Sequence, residues 1–99
     1  MNTYLVSALQ VSNGKVTGVI AQQVKVAAGE VSVLTDGLTV DAAQLEQLVG
    51  TAQVFVVRRT GSGAVELGSQ VRTAGTRFVS VDPNGVENDD LMRLAQFHD

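Results

Sequence analysis

Cysteine is absent from the 99-residue chain, and histidine occurs only once, at position 98. The lack of cysteine excludes disulfide bonds, thiol catalysis and zinc sites that depend on thiolates. A single histidine beside the chain end leaves few groups for acid–base catalysis, because terminal residues fray. We therefore expect a protein that is not an enzyme and that binds no cofactor.

Long apolar runs and targeting signals are also missing. No stretch approaches the roughly 20 consecutive apolar residues that a membrane-spanning helix needs. The first residues, Met1 to Tyr4, have neither the basic region nor the long apolar region of a secretory signal. Together with the starting methionine, these absences predict a complete small cytoplasmic protein with no membrane partner.

Proline, aromatic residues and net positive charge are all scarce. The chain has one proline, 4% aromatic residues, and ten acids against seven bases, which gives a net charge of −3. Modules that bind nucleic acid are usually basic because they neutralise phosphates, so we do not expect a nucleic-acid partner. The hydrophobic content of 44% predicts a single globular domain over residues 1–99.

Six short segments have the residue pattern of β-strands. Asn13-Gly14 separates the first two and predicts a tight hairpin, because both central turn positions require positive φ. Further turns are predicted at Ala27–Glu30, at 60–63 and around Gly75, and Gly68 is a candidate β-bulge. The predicted strands are 3–12, 15–26, 31–33, 53–59, 64–72 and 77–81.

Two segments have the apolar spacing of short helices. The first, Val40 to Val49, is expected to follow an N-cap at Thr39 and to end at Gly50. The second is expected to begin near Leu91, after the capping residues Asn88-Asp89-Asp90. The predicted fold class is α+β, with a mainly antiparallel sheet of five to six strands, one short central helix and a short C-terminal helix. The predicted order is β-β-β-α-β-β-β-α.

Several predicted strands are apolar on both faces. The first strand has apolar residues at odd and even positions, and residues 54–57 are all apolar. A sheet with one solvated face alternates cleanly, and two short helices cannot cover both faces. The remaining apolar area predicts a homo-oligomer or a protein partner, or alternatively a barrel-like closure that buries one face. The expected interaction surface consists of Tyr4, Val6, Phe55 and Val57.

Four arginines on neighbouring predicted strands form a candidate anion site. They are Arg58, Arg59, Arg72 and Arg77. Guanidinium groups suit phosphate and carboxylate, so a small anionic ligand such as a nucleotide or metabolite is a reasonable hypothesis. Adjacent strand residues point to opposite faces, so only one of Arg58 and Arg59 is expected to join the site. The alternative is that these arginines protect sheet edges or pair with nearby acids.

The loop from Asp82 to Asp90 has the acidic composition of a calcium site but lacks the EF-hand spacing. A tight turn and the N-cap of the last helix already account for its residues, so we expect no metal. The ligands, if a metal did bind, would be Asp82, Asn84, Glu87 and Asp89.

The end of the chain has the most specific motifs. They are Gly68-Ser69-Gln70-Val71, then Arg77-Phe78-Val79-Ser80-Val81, then Asp89-Asp90-Leu91. Together with the opening strand, they resemble the bacterial domain-of-unknown-function family 3892 over nearly the whole chain. Asp90 stands where that family usually has asparagine, and Ala95 where it usually has proline. The resemblance implies a shared small fold and no assigned activity.

The sequence thus supports two functional hypotheses of different classes. The first is a non-catalytic protein-interaction or self-associating module. The alternative is a binder of a small anionic ligand that uses the strand arginines. Because stand-alone domains of this size are frequent in phages and other mobile elements, an accessory or anti-defence role is a further hypothesis.

Overall fold

The described part of the chain folds into nine strands, one α-helix and one 3-10 helix. A computed structural model describes residues 2–59, 61–75 and 77–97, and His98 lies outside these ranges. The strands are β1 Thr3–Ser12, β2 Lys15–Ala27, β3 Glu30–Val33, β4 Leu38–Asp41, β5 Gln53–Arg59, β6 Val65–Ala74, β7 Arg77–Val81, β8 Glu87–Asn88 and β9 Ala95–Gln96. Helix α1 spans Ala42–Thr51 and the 3-10 helix spans Leu91–Arg93. Within the described ranges, neither helix has the length and apolar character needed to cross a bilayer.

The first third of the chain folds as two consecutive hairpins, as its turn residues predict. Asn13 and Gly14 have φ values of 53° and 76°, and β1 pairs antiparallel with β2 on either side of this turn. Ala28 and Gly29 have φ values of 52° and 78° and connect β2 to its antiparallel neighbour β3. Both predicted hairpins are confirmed.

Helix α1 begins two residues later than predicted, because β4 forms immediately before it. Leu38–Asp41 pairs antiparallel with the middle of β2 and takes the residues expected to start the helix. Asp41 is therefore the N-cap: its Oδ1 accepts from Gln44 N at 2.8 Å, and its own N donates to Gln44 Oε1 at 3.1 Å. The helix continues beyond Gly50. Its buried face is the predicted one, with Leu45 fully buried.

The predicted C-terminal α-helix is wrong, because the segment forms the 3-10 helix and then β9. Ala95 and Gln96 pair in parallel with Ala8 and Leu9 of β1. Phe97 N donates to Leu9 O at 2.8 Å, which extends this pairing. Backbone groups of a buried strand need hydrogen-bond partners. The requirement of β1 for a neighbour therefore prevails over the helical spacing of the apolar side chains.

All nine strands belong to one mixed sheet with the order β3-β2-β1-β5-β6-β7-β8, in which β4 also pairs with β2 and β9 with β1. The α+β class is confirmed, but the sheet is larger than predicted because β4, β8 and β9 join the six predicted strands. β1 pairs in parallel with β5 and with β9, and the other pairs are antiparallel. The segment that contains α1 provides the crossover that the parallel β1–β5 pair requires.

The main core lies on one face of the sheet, where it meets the two helices. Its buried members are Val6, Leu9, Val19, Ala21, Leu45, Val54, Val56, Val71 and Leu91. The opposite face buries Leu5, Val24 and Val81, since the sheet curls until β3 contacts β6 and β2 contacts β7. In the described part of the chain the two borders of the sheet do not pair with each other. The sheet is therefore not closed, and the barrel-like alternative is wrong.

Candidate ligand-binding cleft

Strand β1 changes its parallel neighbour halfway along, and a cleft opens at the change. β5 pairs with residues 3–6 of β1, whereas β9 pairs with Ala8 and Leu9. The last residues of β5, 57–59, pair with β6 but have left β1. Ligands of open parallel sheets often bind beyond the carboxyl ends of such strands. This β5 cleft has a volume of about 310 Å³ and is lined by Val56, Val57, Arg58, Arg59, Gly68, Ser69, Asp90, Arg93 and Leu94.

A β-bulge on β6 forms one wall of the β5 cleft. The register between β5 and β6 shifts here, so that two residues of β6, Gly68 and Ser69, face one residue of β5, Val56. The bulge predicted at Gly68 is confirmed. A Cβ atom at Gly68 would lie 2.6 Å from the carbonyl oxygen of Val56, so only glycine fits without a shift of the backbone. The bulge directs Ser69 toward the main core, where its side chain is buried.

A chain of hydrogen bonds crosses the core and ends at the carboxylate of Asp90. Leu91 N donates to Ser80 Oγ at 3.1 Å, and Ser80 Oγ donates to Asn88 Oδ1 at 2.6 Å. Asn88 Nδ2 then donates to Ser69 Oγ at 2.9 Å, and Ser69 Oγ donates to Asp90 Oδ2 at 2.6 Å. Asp90 N donates back to Asn88 Oδ1 at 3.0 Å. Among the described residues every buried side-chain nitrogen and oxygen has a partner, so this network is satisfied.

The structure brings together two of the four arginines that the sequence proposes as an anion site. Arg58 and Arg59 both line the β5 cleft, whereas Arg72 and Arg77 lie outside it on β6 and β7. Because side chains alternate along β5, the two guanidinium groups leave opposite faces of the strand, and the expectation that only one of them joins an anion site stays a prediction. Both residues border the cleft because it runs along the free edge of β5, where the two faces of the strand meet. Arg93 is a third cleft arginine that the sequence analysis missed, since its position depends on the pairing of β9 with β1.

The three cleft arginines differ in their partners. Arg58 Nη2 lies 2.7 Å from Glu66 Oε2, and Arg93 Nε lies 3.2 Å from Asp89 Oδ2. Both pairs are largely exposed, and exposed ion pairs contribute little to stability. For the side chain of Arg59 the described residues provide no ion pair or hydrogen bond. The donors of Arg59 are therefore available to a ligand. The exposed ion pairs of Arg58 and Arg93 would compete only weakly with a ligand for those two guanidinium groups.

The acidic loop uses its side chains to shape itself and to pair with neighbouring arginines. Asp82 Oδ1 accepts from Asn84 N at 2.8 Å and from Val86 N at 3.0 Å, which folds the turn. The carboxylates of Glu87 and Asp89 each form an ion pair with an arginine, at 3.3 Å and 3.2 Å. In residues 2–59, 61–75 and 77–97 no cluster of three or more metal-ligating side chains occurs.

The four residues expected to form an interaction surface do not share one. Val6 is fully buried in the main core, and Tyr4 packs against that core. Phe55 and Val57 lie on the other face of the sheet, because side chains alternate along β5. The assignment of Val6 to a surface is therefore wrong. Among the residues that the structure describes, the large apolar side chains that are exposed are Val26, Val33, Leu34, Leu38, Val86 and Met92.

Comparisons with family models, with curated proteins and with solved structures find no match. The resemblance to the domain-of-unknown-function family 3892 therefore stays a prediction. Function has to be inferred from the β5 cleft and from the chemistry of its lining.

Proposed function

We propose that the protein is a non-catalytic binding module that holds a small anionic ligand in the β5 cleft. The observation that supports this most directly is that Arg58, Arg59 and Arg93 line one cavity of about 310 Å³. Guanidinium groups bind carboxylate and phosphate through paired, charge-assisted hydrogen bonds. Small-molecule sites range from roughly 300 to 1,000 Å³, so the cleft suits a small metabolite.

The remaining lining residues also favour binding of a small molecule. Val57 and Leu94 supply apolar walls, and Gly68 exposes the backbone of β6. An apolar pocket with a few convergent polar groups is the usual composition of a ligand site. The described residues that line the cleft include neither histidine nor cysteine, the side chains that often act as base or nucleophile. Ser69 is buried, and its hydroxyl donates a hydrogen bond to Asp90 Oδ2. These features favour binding over catalysis.

Isothermal titration calorimetry with inorganic phosphate, AMP, succinate and the L-amino acids tests this proposal. Arg59→Ala should weaken the best anion about tenfold to hundredfold, because it removes one charge-assisted interaction. Arg72→Ala is the matched control, since Arg72 is an exposed strand arginine that hydrogen-bonds to Gln70 outside the cleft. Equal losses in the two variants, or no binding by any member of the panel, would show that the cleft is not an anion site.

As a second candidate function we propose self-association through the border of the sheet that β3 and β4 form. Val33, Leu34 and Leu38, on or between these strands, are 48%, 55% and 59% exposed. A border strand also presents backbone donors and acceptors to another chain. Native mass spectrometry should then give a multiple of 10.4 kDa for the wild type and the monomer mass for Leu38→Lys. A wild-type monomer at high protein concentration would rule out this candidate.

A further inference from the structure

A simple anionic ligand does not explain why the β5 cleft contains the negative charge of Asp90. Its carboxylate lines the cavity together with three arginines and would repel a purely negative ligand. Among the described residues, the Ser69 hydroxyl donates to Oδ2 of this carboxylate, and no group donates to Oδ1. The other oxygen, Oδ1, is thus left for a donor that comes from outside the protein.

The carboxylate of Asp90 is also held in place from behind. Every member of the hydrogen-bond chain through Ser80, Asn88 and Ser69 donates in the direction of Asp90. Ser80 is 0% exposed and Ser69 8% exposed. Apolar side chains of similar size would stabilise this part of the core at least as well, whereas a satisfied polar network fixes geometry. The network therefore makes Asp90 a preorganised acceptor at the cleft wall.

The position of Asp90 before the 3-10 helix does not by itself explain why this residue is an aspartate. Asp90 is the N-cap residue of that helix, yet its side chain makes no capping hydrogen bond. By contrast, the Asp41 carboxylate accepts a hydrogen bond from the backbone of α1. Asp90 is thus free of the local role that aspartate usually has at this position.

We infer that the ligand of the β5 cleft is an α-amino acid, whose carboxylate binds the cleft arginines and whose ammonium group donates to Asp90. This inference rests on the proposed anion site and names the class of its ligand. The two charges of an amino acid are attached to one carbon atom, so a single small cavity that contains guanidinium and carboxylate groups suits both. The apolar side chains of Val57 and Leu94 favour an aliphatic side chain on the ligand.

Calorimetric titration with L-leucine, N-acetyl-L-leucine and L-leucinamide separates the two charges of the ligand. L-Leucine should bind, and each blocked form should bind about tenfold to hundredfold more weakly, since each loses one charge-assisted interaction. Equal binding of N-acetyl-L-leucine overturns the inference but leaves the anion site in place. Equal binding of L-leucinamide overturns the anion site itself. No binding by any of the twenty L-amino acids overturns the inference as well.

Asp90→Asn tests the assigned partner of the ammonium group at nearly constant side-chain size. In this variant L-leucine should lose its advantage over N-acetyl-L-leucine and keep its advantage over L-leucinamide. Glu87→Gln is the matched control for net charge, because Glu87 is a nearby exposed acid that pairs with Arg77 outside the cleft, and it should retain both preferences. Wild-type preferences in Asp90→Asn, or the same change in both variants, overturn the inference.

Ser69→Ala tests whether the buried network positions Asp90. It removes the donor to Oδ2 and leaves the charge of Asp90 unchanged. The preference for L-leucine over N-acetyl-L-leucine should fall, whereas the preference over L-leucinamide should stay the same. A merely structural role of Ser69 would lower the melting temperature without changing either preference. Ser69→Ala also provides the decisive comparison if Asp90→Asn does not fold. An unchanged preference of Ser69→Ala for L-leucine over N-acetyl-L-leucine would contradict the assignment of Asp90 as the partner of the ammonium group.

Discussion

The two helices cover the same face of the sheet with different chemistry. Helix α1 contributes Leu45, which is fully buried in an apolar cluster. The 3-10 helix contributes Leu91, which is equally buried but whose backbone N donates to the hydroxyl of Ser80. A buried polar network stabilises a fold only when every polar group in it has a hydrogen-bond partner. Apolar packing has no such requirement. The difference indicates that the region under α1 is held by apolar packing alone, whereas hydrogen bonds under the 3-10 helix fix the position of Asp90 at the wall of the β5 cleft.

The largest effect is expected in the apolar region. Leu45→Ala should lower the free energy of unfolding by about 2–5 kcal/mol, because it leaves a cavity at a fully buried site. Urea denaturation measures this loss, and calorimetry at low temperature should show unchanged ligand affinity in the folded fraction. A loss below about 1 kcal/mol would mean that α1 does not anchor the core.

In the polar region, removing one member of the network should be worse than replacing it together with its partner. Asn88→Ala leaves the hydroxyls of Ser69 and Ser80 without this partner, and each such group costs about 1–3 kcal/mol. The combined variant Ser69→Ala and Asn88→Leu should cost less than Asn88→Ala alone, because no buried hydroxyl is left unpaired: Ser80 keeps Leu91 N and the backbone oxygen of residue 88, and the Asp90 carboxylate is partly exposed. Urea denaturation compares the two variants. A combined loss larger than that of Asn88→Ala would contradict this view of the network.

A smaller effect on stability is expected at Gly68, in the bulge that joins the polar region to the cleft, and Gly61 provides the control. Gly68→Ala should cost about 1–3 kcal/mol, because the new Cβ would lie 2.6 Å from the Val56 carbonyl oxygen. At Gly61 an added Cβ meets no atom within 4 Å, so Gly61→Ala should change stability by no more than about 0.5 kcal/mol. Thermal unfolding followed by circular dichroism measures both. Similar losses at the two glycines would contradict the close contact at the bulge.

The smallest effect on stability is expected at the two aspartates that precede the helices, Asp41 and Asp90. Asp41→Ala should cost about 1 kcal/mol of stability through the lost cap of α1, and it should leave ligand preference unchanged. Asp90→Asn should change ligand preference more than stability, since Asp90 makes no capping hydrogen bond. Chemical denaturation and calorimetry on the same two samples provide the comparison. The reverse pattern would show that Asp90 acts as a structural residue.

Local features of the fold could be predicted from the sequence, and features that depend on distant pairing could not. Asn13-Gly14 determines its hairpin because few residues tolerate positive φ at both turn positions, and Gly68 indicated its bulge in a similar way. The strands β4, β8 and β9 are short, and they form only because a longer neighbour offers a free edge. Helical spacing near Leu91 was therefore misleading.

The candidate site shows the same division between local and distant information. Arg58 and Arg59 were found because consecutive charges at the end of a strand are visible in the sequence. The positions of Arg93 and Asp90 in the β5 cleft were missed, because they depend on contacts between segments far apart in the chain. Ser69 and Asp90 are 21 residues apart, and Ser69 and Asn88 are 19 residues apart. No local motif encodes such a network.

Backbone amide NMR during titration with L-leucine tests the central claim most directly, because it locates the ligand without altering the protein. Chemical-shift changes are expected at Arg59, Gly68, Ser69, Asp90 and Leu94, around the β5 cleft. The border strands β3 and β4 should remain unaffected. Saturable shift changes that centre on Val33 to Leu38, or no changes at any ligand concentration, would contradict the assignment of the β5 cleft as a binding site for an amino acid.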